Sequence, residues 1–209
     1  AILKVSPTRI ALLRLKKELK VAQKGHKLLK DKRDGLVKKF MAVIYEAKAL
    51  RESVENRLGS AFDSYTRASS MTAAASLDTA FMAPNAKTEL GVKLQSVMSV
   101  KIPQFTIKKT GSAFSYGMLE TTGDLDNAMV KFDEVFVDIL RLAELEKTAE
   151  NLAEEIEKTR RRVSALENVR IPNLNDTIKF ITMQLDERGR DAVVSTMRVK
   201  AMIMEKEGG

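Results

Sequence analysis

The sequence predicts a mainly α-helical protein: a long antiparallel two-helix coiled coil formed by the N- and C-terminal segments, with a short β-hairpin-containing insert between them. The first observation is a stripe at Leu12, Leu15, Leu19, Ala22, His26, Leu29, Arg33, Leu36, Phe40, Val43, Ala47, Leu50 and Val54. Its thirteen positions alternate three and four apart, and eleven are apolar. A spacing averaging about 3.5 residues keeps one seam turned toward a partner helix over many turns. The second observation is a matching stripe at Leu145, Ala149, Leu152, Ile156, Thr159, Val163 and Leu166. It resumes at Ile171, Leu174, Ile178, Ile181 and Leu185 after a one-turn interruption. Two such stripes in one chain can zip onto each other by folding back. The third observation is composition: 5% aromatics, 31% charged residues and no Trp suit long helices better than a compact core.

Each element follows from local signals. Residues 1–82 read as the first long helix, with Ser6 as cap and Pro7 at the first helical position, where its missing N–H costs nothing. Gly25 and Gly35 fall inside this helix and mark candidate close packing. Residues 71–82 either extend the helix or form a second short one, stopped by Ala83-Pro84-Asn85. The insert spans 83–123. There, period-two alternation at Val100, Ile102, Phe105 and Ile107, and again at Phe114, Tyr116 and Met118, predicts a hairpin over about 97–120. Its turn is placed at Lys109-Thr110-Gly111-Ser112, and Pro103 makes the first strand an edge or bulged one. Asp124 is the expected cap of the second long helix, 124–209, which Pro172 should kink by removing one backbone bond and crowding the carbonyl of Asn168. Gly208-Gly209 should fray. The expected whole is one elongated structural unit.

The charge pattern speaks of partners rather than of fold. Residues 1–40 carry 13 Lys/Arg against 3 Asp/Glu, and residues 124–159 carry 4 against 11. In an antiparallel hairpin the end that holds both termini is therefore strongly basic. With no cysteine there is no disulfide or thiolate metal site, and a reducing cytosol suits the chain. No apolar run reaches the roughly 18 residues of a membrane span, and no charged-then-apolar leader opens the sequence. The expectation is a soluble protein able to sit beside a membrane.

Chemistry-bearing constellations are missing. The single histidine, His26, sits in the seam, where a register-setting role outweighs metal ligation. Arg33, also in the seam, is expected to meet a carboxylate of the other helix or to set register. Gly111 and Gly189 lack the flanking glycines and lysine of a phosphate cradle, and Glu154, Glu155 and Glu157 read as a solvated face. No catalytic, cofactor or metal site is expected. The basic run Arg160-Arg161-Arg162 is the sharper feature, since guanidinium groups make fixed bidentate contacts with acidic or carbonyl-rich partners. The same reasoning covers Arg14, Lys16, Lys17, Lys20, Lys24 and Lys27. Met197, Met202 and Met204 read as adaptable helix packing. A cytosolic coiled-coil scaffold or a basic nucleic-acid-binding rod is the alternative reading. The basic segments lack aromatic stacking residues and groove-reading motifs, however.

Longer motifs point further. Ser-Pro-Thr-Arg at 6–9, Leu12-x-x-Leu15-Lys16, and Ala22-x-x-Gly25-x-x-Leu28-Leu29-Lys30-x-Lys32-Arg33-Asp34-x-Leu36 resemble the opening of the D subunit of V-type and archaeal A-type rotary ATPases. Glu157-Lys158-Thr159-Arg160-Arg161-Arg162-Val163-x-Ala165-Leu166-Glu167 and Ile171-Pro172 resemble that family's C-terminal signature, whereas Asp186-Glu187-Arg188-Gly189-Arg190 departs from its unbroken acidic-basic run. The resemblance implies a noncatalytic central-stalk rotor component, cytoplasmic and peripheral to the membrane. Its tip inserts into a hexamer of catalytic A and noncatalytic B subunits. Its lower part binds the small F subunit of the stalk and docks on the subunit capping the membrane ring. ATP hydrolysis or synthesis is thereby coupled to proton or sodium movement. On that resemblance Arg9, Arg14, Lys16, Lys17, Lys20, Arg160, Arg161, Arg162, Arg188 and Arg190 are the candidate hexamer contacts. The seam is carried by Leu12, Leu15, Leu19, Leu29, Leu36, Phe40, Leu50, Ile156, Val163, Leu166, Ile178 and Leu185.

Overall fold

The computed structural model describes residues 3–82, 85–112, 114, 116–117 and 121–207. The order of elements is α1 (Arg9–Met71), α2 (Ala74–Phe81), β1 (Lys87–Val97), β2 (Val100–Thr110) and α3 (Gly123–Ala165). A π-helical turn (Leu166–Arg170) and α4 (Ile171–Glu207) complete it. The chain divides into two compact units, one made of Ala1–Asp34 with Glu157–Gly209 and the other of Gly35–Ile156. The fold is mainly helical, with a hairpin insert between two long helical segments.

In the first unit the beginning of α1 runs antiparallel to the returning helix. Leu15, Leu174 and Ile181 are buried together, and Leu12, Leu19, Ala22, Ile178 and Leu185 pack around them. Burying one such side chain contributes roughly 1.5–3 kcal/mol, so this seam outweighs the exposed ion pairs along its edge. Thr8, rather than Ser6, caps α1: its Oγ1 accepts from the Ala11 amide at 3.1 Å and its carbonyl from Leu12 at 3.0 Å. The cap is the hydroxyl within reach of the third helical amide, which leaves Pro7 just outside the helix. The segment before the cap is pinned as well. The Leu3 amide donates to Thr177 Oγ1 at 3.0 Å, and the fully buried Thr177 hydroxyl donates to the Asn173 carbonyl at 2.6 Å.

At the expected kink the chain widens by one residue. The Ile171 amide donates to the Leu166 carbonyl, five residues back, so a π turn immediately precedes Pro172. A π turn relieves the crowding of a proline ring against the preceding turn. The one-turn interruption of the second stripe coincides with this insertion.

In the second unit the remainder of α1 runs antiparallel to α3. Leu36 and Leu152 bury against Val100 of the hairpin, with Phe40, Val43 and Ile156 around them. Arg57 meets Asp138 at 2.9 Å, Arg51 pairs with Glu146, and Lys131 Nζ donates to Ser60 and Ser64 Oγ at 3.0 and 2.9 Å. Further along, Ala68 and Leu125 bury with Leu77 of α2. Asp124, expected as the cap of α3, lies within its first turn beside Asp126, where carboxylates complement the helix dipole.

The hairpin exists, but its strands and turn are shifted from the expected 97–120. β1 and β2 pair antiparallel from Lys87–Thr110 to Val97–Val100, joined at Met98-Ser99, whose φ angles are 52° and 69°. Two consecutive positive φ values are the signature of the type I′ connection, which usually recruits Asn or Gly. Neither stands here, so the turn is invisible to residue preference. The terminal methyl of Met98 reaches α1: a Cβ on Gly35 would lie 2.9 Å from Met98 Cε, so this glycine does mark a close approach, while Gly25 has nothing within 4 Å. Lys109–Ser112 closes the base of the hairpin instead of connecting its strands. Gly111 has φ 87°, and a Cβ there would sit 2.1 Å from the Asn85 carbonyl. Phe114 and Tyr116 are not in a strand. Met118, the Ala83-Pro84 stop and Gly208-Gly209 lie outside the described residues.

Candidate partner-binding surfaces

The seam residues are buried or partly buried. Leu15, Leu36 and Val163 are buried, and Leu12, Leu19, Leu29, Phe40, Leu50, Ile156, Leu166, Ile178 and Leu185 are half-buried. Of the two polar seam residues, His26 is held with Nε2 3.5 Å from Glu167 Oε2 and is otherwise without a hydrogen-bond partner at that atom. Arg33 turns to its own neighbour: Nε and Nη2 both donate to Asp34 Oδ1, at 3.0 and 2.8 Å. The expected cross-helix carboxylate loses to the adjacent one, because an i+1 aspartate requires no reach across the seam.

All ten candidate contact cations are exposed and belong to the first unit. They form two groups rather than one. The antiparallel register brings Arg188 and Arg190 beside the start of α1, where Arg188 Nη1 donates to the Pro7 carbonyl at 3.0 Å. Arg9, Arg14, Lys16, Lys17 and Lys20 share that end. Arg160, Arg161 and Arg162 lie several turns away, on the far side of the Glu18–Arg170 and His26–Glu167 pairs. Within this triplet Arg161 pairs with Glu157 one turn back. An exposed i,i+4 pair is worth only about 0.3–0.5 kcal/mol, so an outside carboxylate can displace it.

One surface is not anticipated by the sequence reading. From Asp186 to Glu205 every residue of α4 is exposed, including Val193, Val194, Met197, Val199, Met202, Ile203 and Met204. Met197, Met202 and Met204 are expected to serve as adaptable helix packing; among the described residues nothing covers them. Exposed apolar side chains flanked by Arg188, Arg190, Arg198 and Lys200 make this stretch a candidate protein-binding surface. The signal in the sequence is a stretch richer in apolar residues than a two-helix seam uses.

Second-unit surfaces are less charged. An apolar-walled groove of about 320 Å³ runs between Ile44, Ala47, Lys48, Arg51, Glu146 and Ala149, bridged by the Arg51–Glu146 pair. Tyr116 donates to Asp126 Oδ1 at 2.7 Å; burial first, then this carboxylate, pushes its hydroxyl pKa well above the usual phenol range. Among the described residues no group of three or more His, Cys, Asp or Glu is placed to hold a metal ion, and no helix is long and apolar enough to cross a membrane. The arrangement provides surfaces for recognition by helices and carboxylates.

Comparison with known proteins gives the family. The profile of the family described as the ATP synthase D subunit matches residues 11–201. A V-type ATP synthase D subunit from Clostridioides difficile is 45% identical over 207 residues, 98% of this chain and 93% of the relative. One from Fusobacterium nucleatum subsp. nucleatum is 45% identical over 206 residues, covering 97% and 98%. Another from Acetivibrio thermocellus is 44% identical over 210 residues, covering 99% and 95%. With the match running through both terminal helical segments and the hairpin between them, the chain belongs to the ATP synthase D subunit family, the D subunits of V-type rotary ATPases.

Proposed function

We propose that this chain is the central rotor shaft of its complex, itself noncatalytic, coupling ATP hydrolysis or synthesis in a catalytic hexamer to rotation and to proton or sodium translocation. The observation that carries the reading is the pairing, inside one molecule, of segments from the two ends of the sequence along buried apolar seams. A shaft must transmit torque, and a seam closed within the chain gives stiffness without needing a second polypeptide. The exposed end of α4, with the cations beside it, is the surface for the A and B subunits of the hexamer. Many exposed, screened charge contacts suit a sliding interface better than a few deep ones, because no single contact creates a high barrier between rotational stops. The hairpin-bearing unit is the surface for the small F subunit of the stalk and for the subunit capping the membrane ring. The complex thus holds the chain at the cytoplasmic side, peripheral to the membrane.

The chain has no cysteine, so single-cysteine tethering tests the idea cleanly. Met202→Cys, linked through a reducible crosslinker to the hexamer in the reconstituted complex, should abolish ATP turnover, and reduction should restore it. A static scaffold tolerates the same tether. Full turnover in the crosslinked complex refutes the rotor reading.

A further inference from the structure

The hairpin has two outer edges, and they are treated differently. On β2, the Phe105 amide donates to Glu144 Oε2 at 2.9 Å and the Lys101 carbonyl accepts from Asn151 Nδ2 at 3.0 Å. Odd-numbered residues of β2 therefore point their amide groups away from β1, toward α3, and Pro103 sits among them at no loss to the ladder. Across the register, the residues of β1 whose groups point outward are Thr88, Leu90, Val92, Leu94 and Ser96. Among the described residues no hydrogen bond reaches that edge. Leu90, Val92 and Leu94 face the same side as their cross-strand partners Ile107, Phe105 and Pro103, which are half-buried or buried, yet they are 44%, 56% and 67% exposed. An eleven-residue edge with no proline and three exposed apolar side chains is a strand-accepting surface.

We propose that this edge pairs with the same edge of a second copy of the chain, making a four-stranded antiparallel sheet with its two-fold axis at Gly91. The edge complements itself. In that register Leu90 lies opposite the partner's Val92, and Thr88 opposite the partner's Leu94. These are residues whose amide groups all point outward, as hydrogen-bonded antiparallel pairs require. Glu89 lies opposite the partner's Lys93, and symmetry repeats the pair. Gly91 places no side chain at the axis. The six apolar side chains then share one face of the sheet. The dimer is a state of the chain outside its complex and draws nothing from the rotor reading.

Sedimentation and native mass spectrometry of the full chain test it through two charge variants. The parent should dimerise as concentration rises. Lys93→Glu sets Glu89 against the partner's new glutamate, and Glu89→Lys sets two lysines together. Each variant alone should dimerise about tenfold or more weakly, from two repulsions replacing two attractions. Mixed in equal amounts, the two variants should form a heterodimer at least as readily as the parent forms its own, since both cross-pairs are again opposite in charge. That rescue also proves both variants folded. A parent that stays monomeric, variants that dimerise like the parent, or a mixture no better than its components each overturn the proposal.

Discussion

Replacing Leu36 with alanine tests the second-unit seam at its most enclosed point. Leu36 is fully buried, against Leu152 of α3 and Val100 of β2, with Phe40, Val43 and Ile156 beside them. The change removes three carbons, worth about 2.4 kcal/mol at roughly 0.8 kcal/mol each. Three elements meet there, so collapse around the void is partial and a cavity term adds about 1–2 kcal/mol. The expected total is about 3.4–4.4 kcal/mol. Leu28 on the same helix is exposed, and Leu28→Ala should cost under about 0.5 kcal/mol. Urea unfolding followed by circular dichroism gives the difference between the two variants. Because the chain has two compact units, amide exchange supplies the local readout: Leu36→Ala should speed exchange across β2, whose Val100 loses its support. Equal losses for the two variants, or unchanged exchange in β2, would refute the assignment of Leu36 to the junction of helices and hairpin.

Three further expectations are independent of it. Gly25→Ala should stabilise the chain by about 0.5–1 kcal/mol in thermal or urea unfolding, since the added methyl meets nothing and removes a helix-weakening glycine. In an alkaline titration read by phenolate absorbance, the parent should show a component ionising above the ordinary phenol range, which Tyr116→Phe removes. Because folding raises that pKa, the contribution is whole below the ordinary phenol pKa and is lost as pH climbs past it, so the parent's stability advantage over Tyr116→Phe should shrink only in strong alkali. Neutralising Arg160, Arg161 and Arg162 together should leave helicity unchanged, as all three are exposed, while lowering coupled turnover of the reconstituted complex; unaltered coupling would remove them from the hexamer interface.

Much of the fold is legible in the sequence because helical seams are written in a repeating interval. The spacing of Leu12 through Val54 needs no knowledge of the partner helix, only that a 3.5-residue period must be buried on one side. The length of α1 follows directly, since no proline interrupts it before Met71. Strand assignment is harder. Leu90, Val92 and Leu94 carry the same alternation as β2, but the residues between and around them are Lys, Gln, Glu and Gly, and Met98-Ser99 has no turn composition. What selects that turn is tertiary: Met98 reaches the gap at Gly35, and Glu144 and Asn151 satisfy the far edge of β2.

The sequence by itself thus determined the helical class and the seams, because periodicity and residue type are local properties, and its long motifs carried the family. Tertiary structure alone decided where the hairpin turns, that Pro172 is met by a π turn, that Arg33 pairs with Asp34, and that, among the described residues, nothing covers the Met-bearing end of α4 or the edge of β1. Those outcomes depend on which groups compete for a partner in space, and a linear pattern does not rank such competitors.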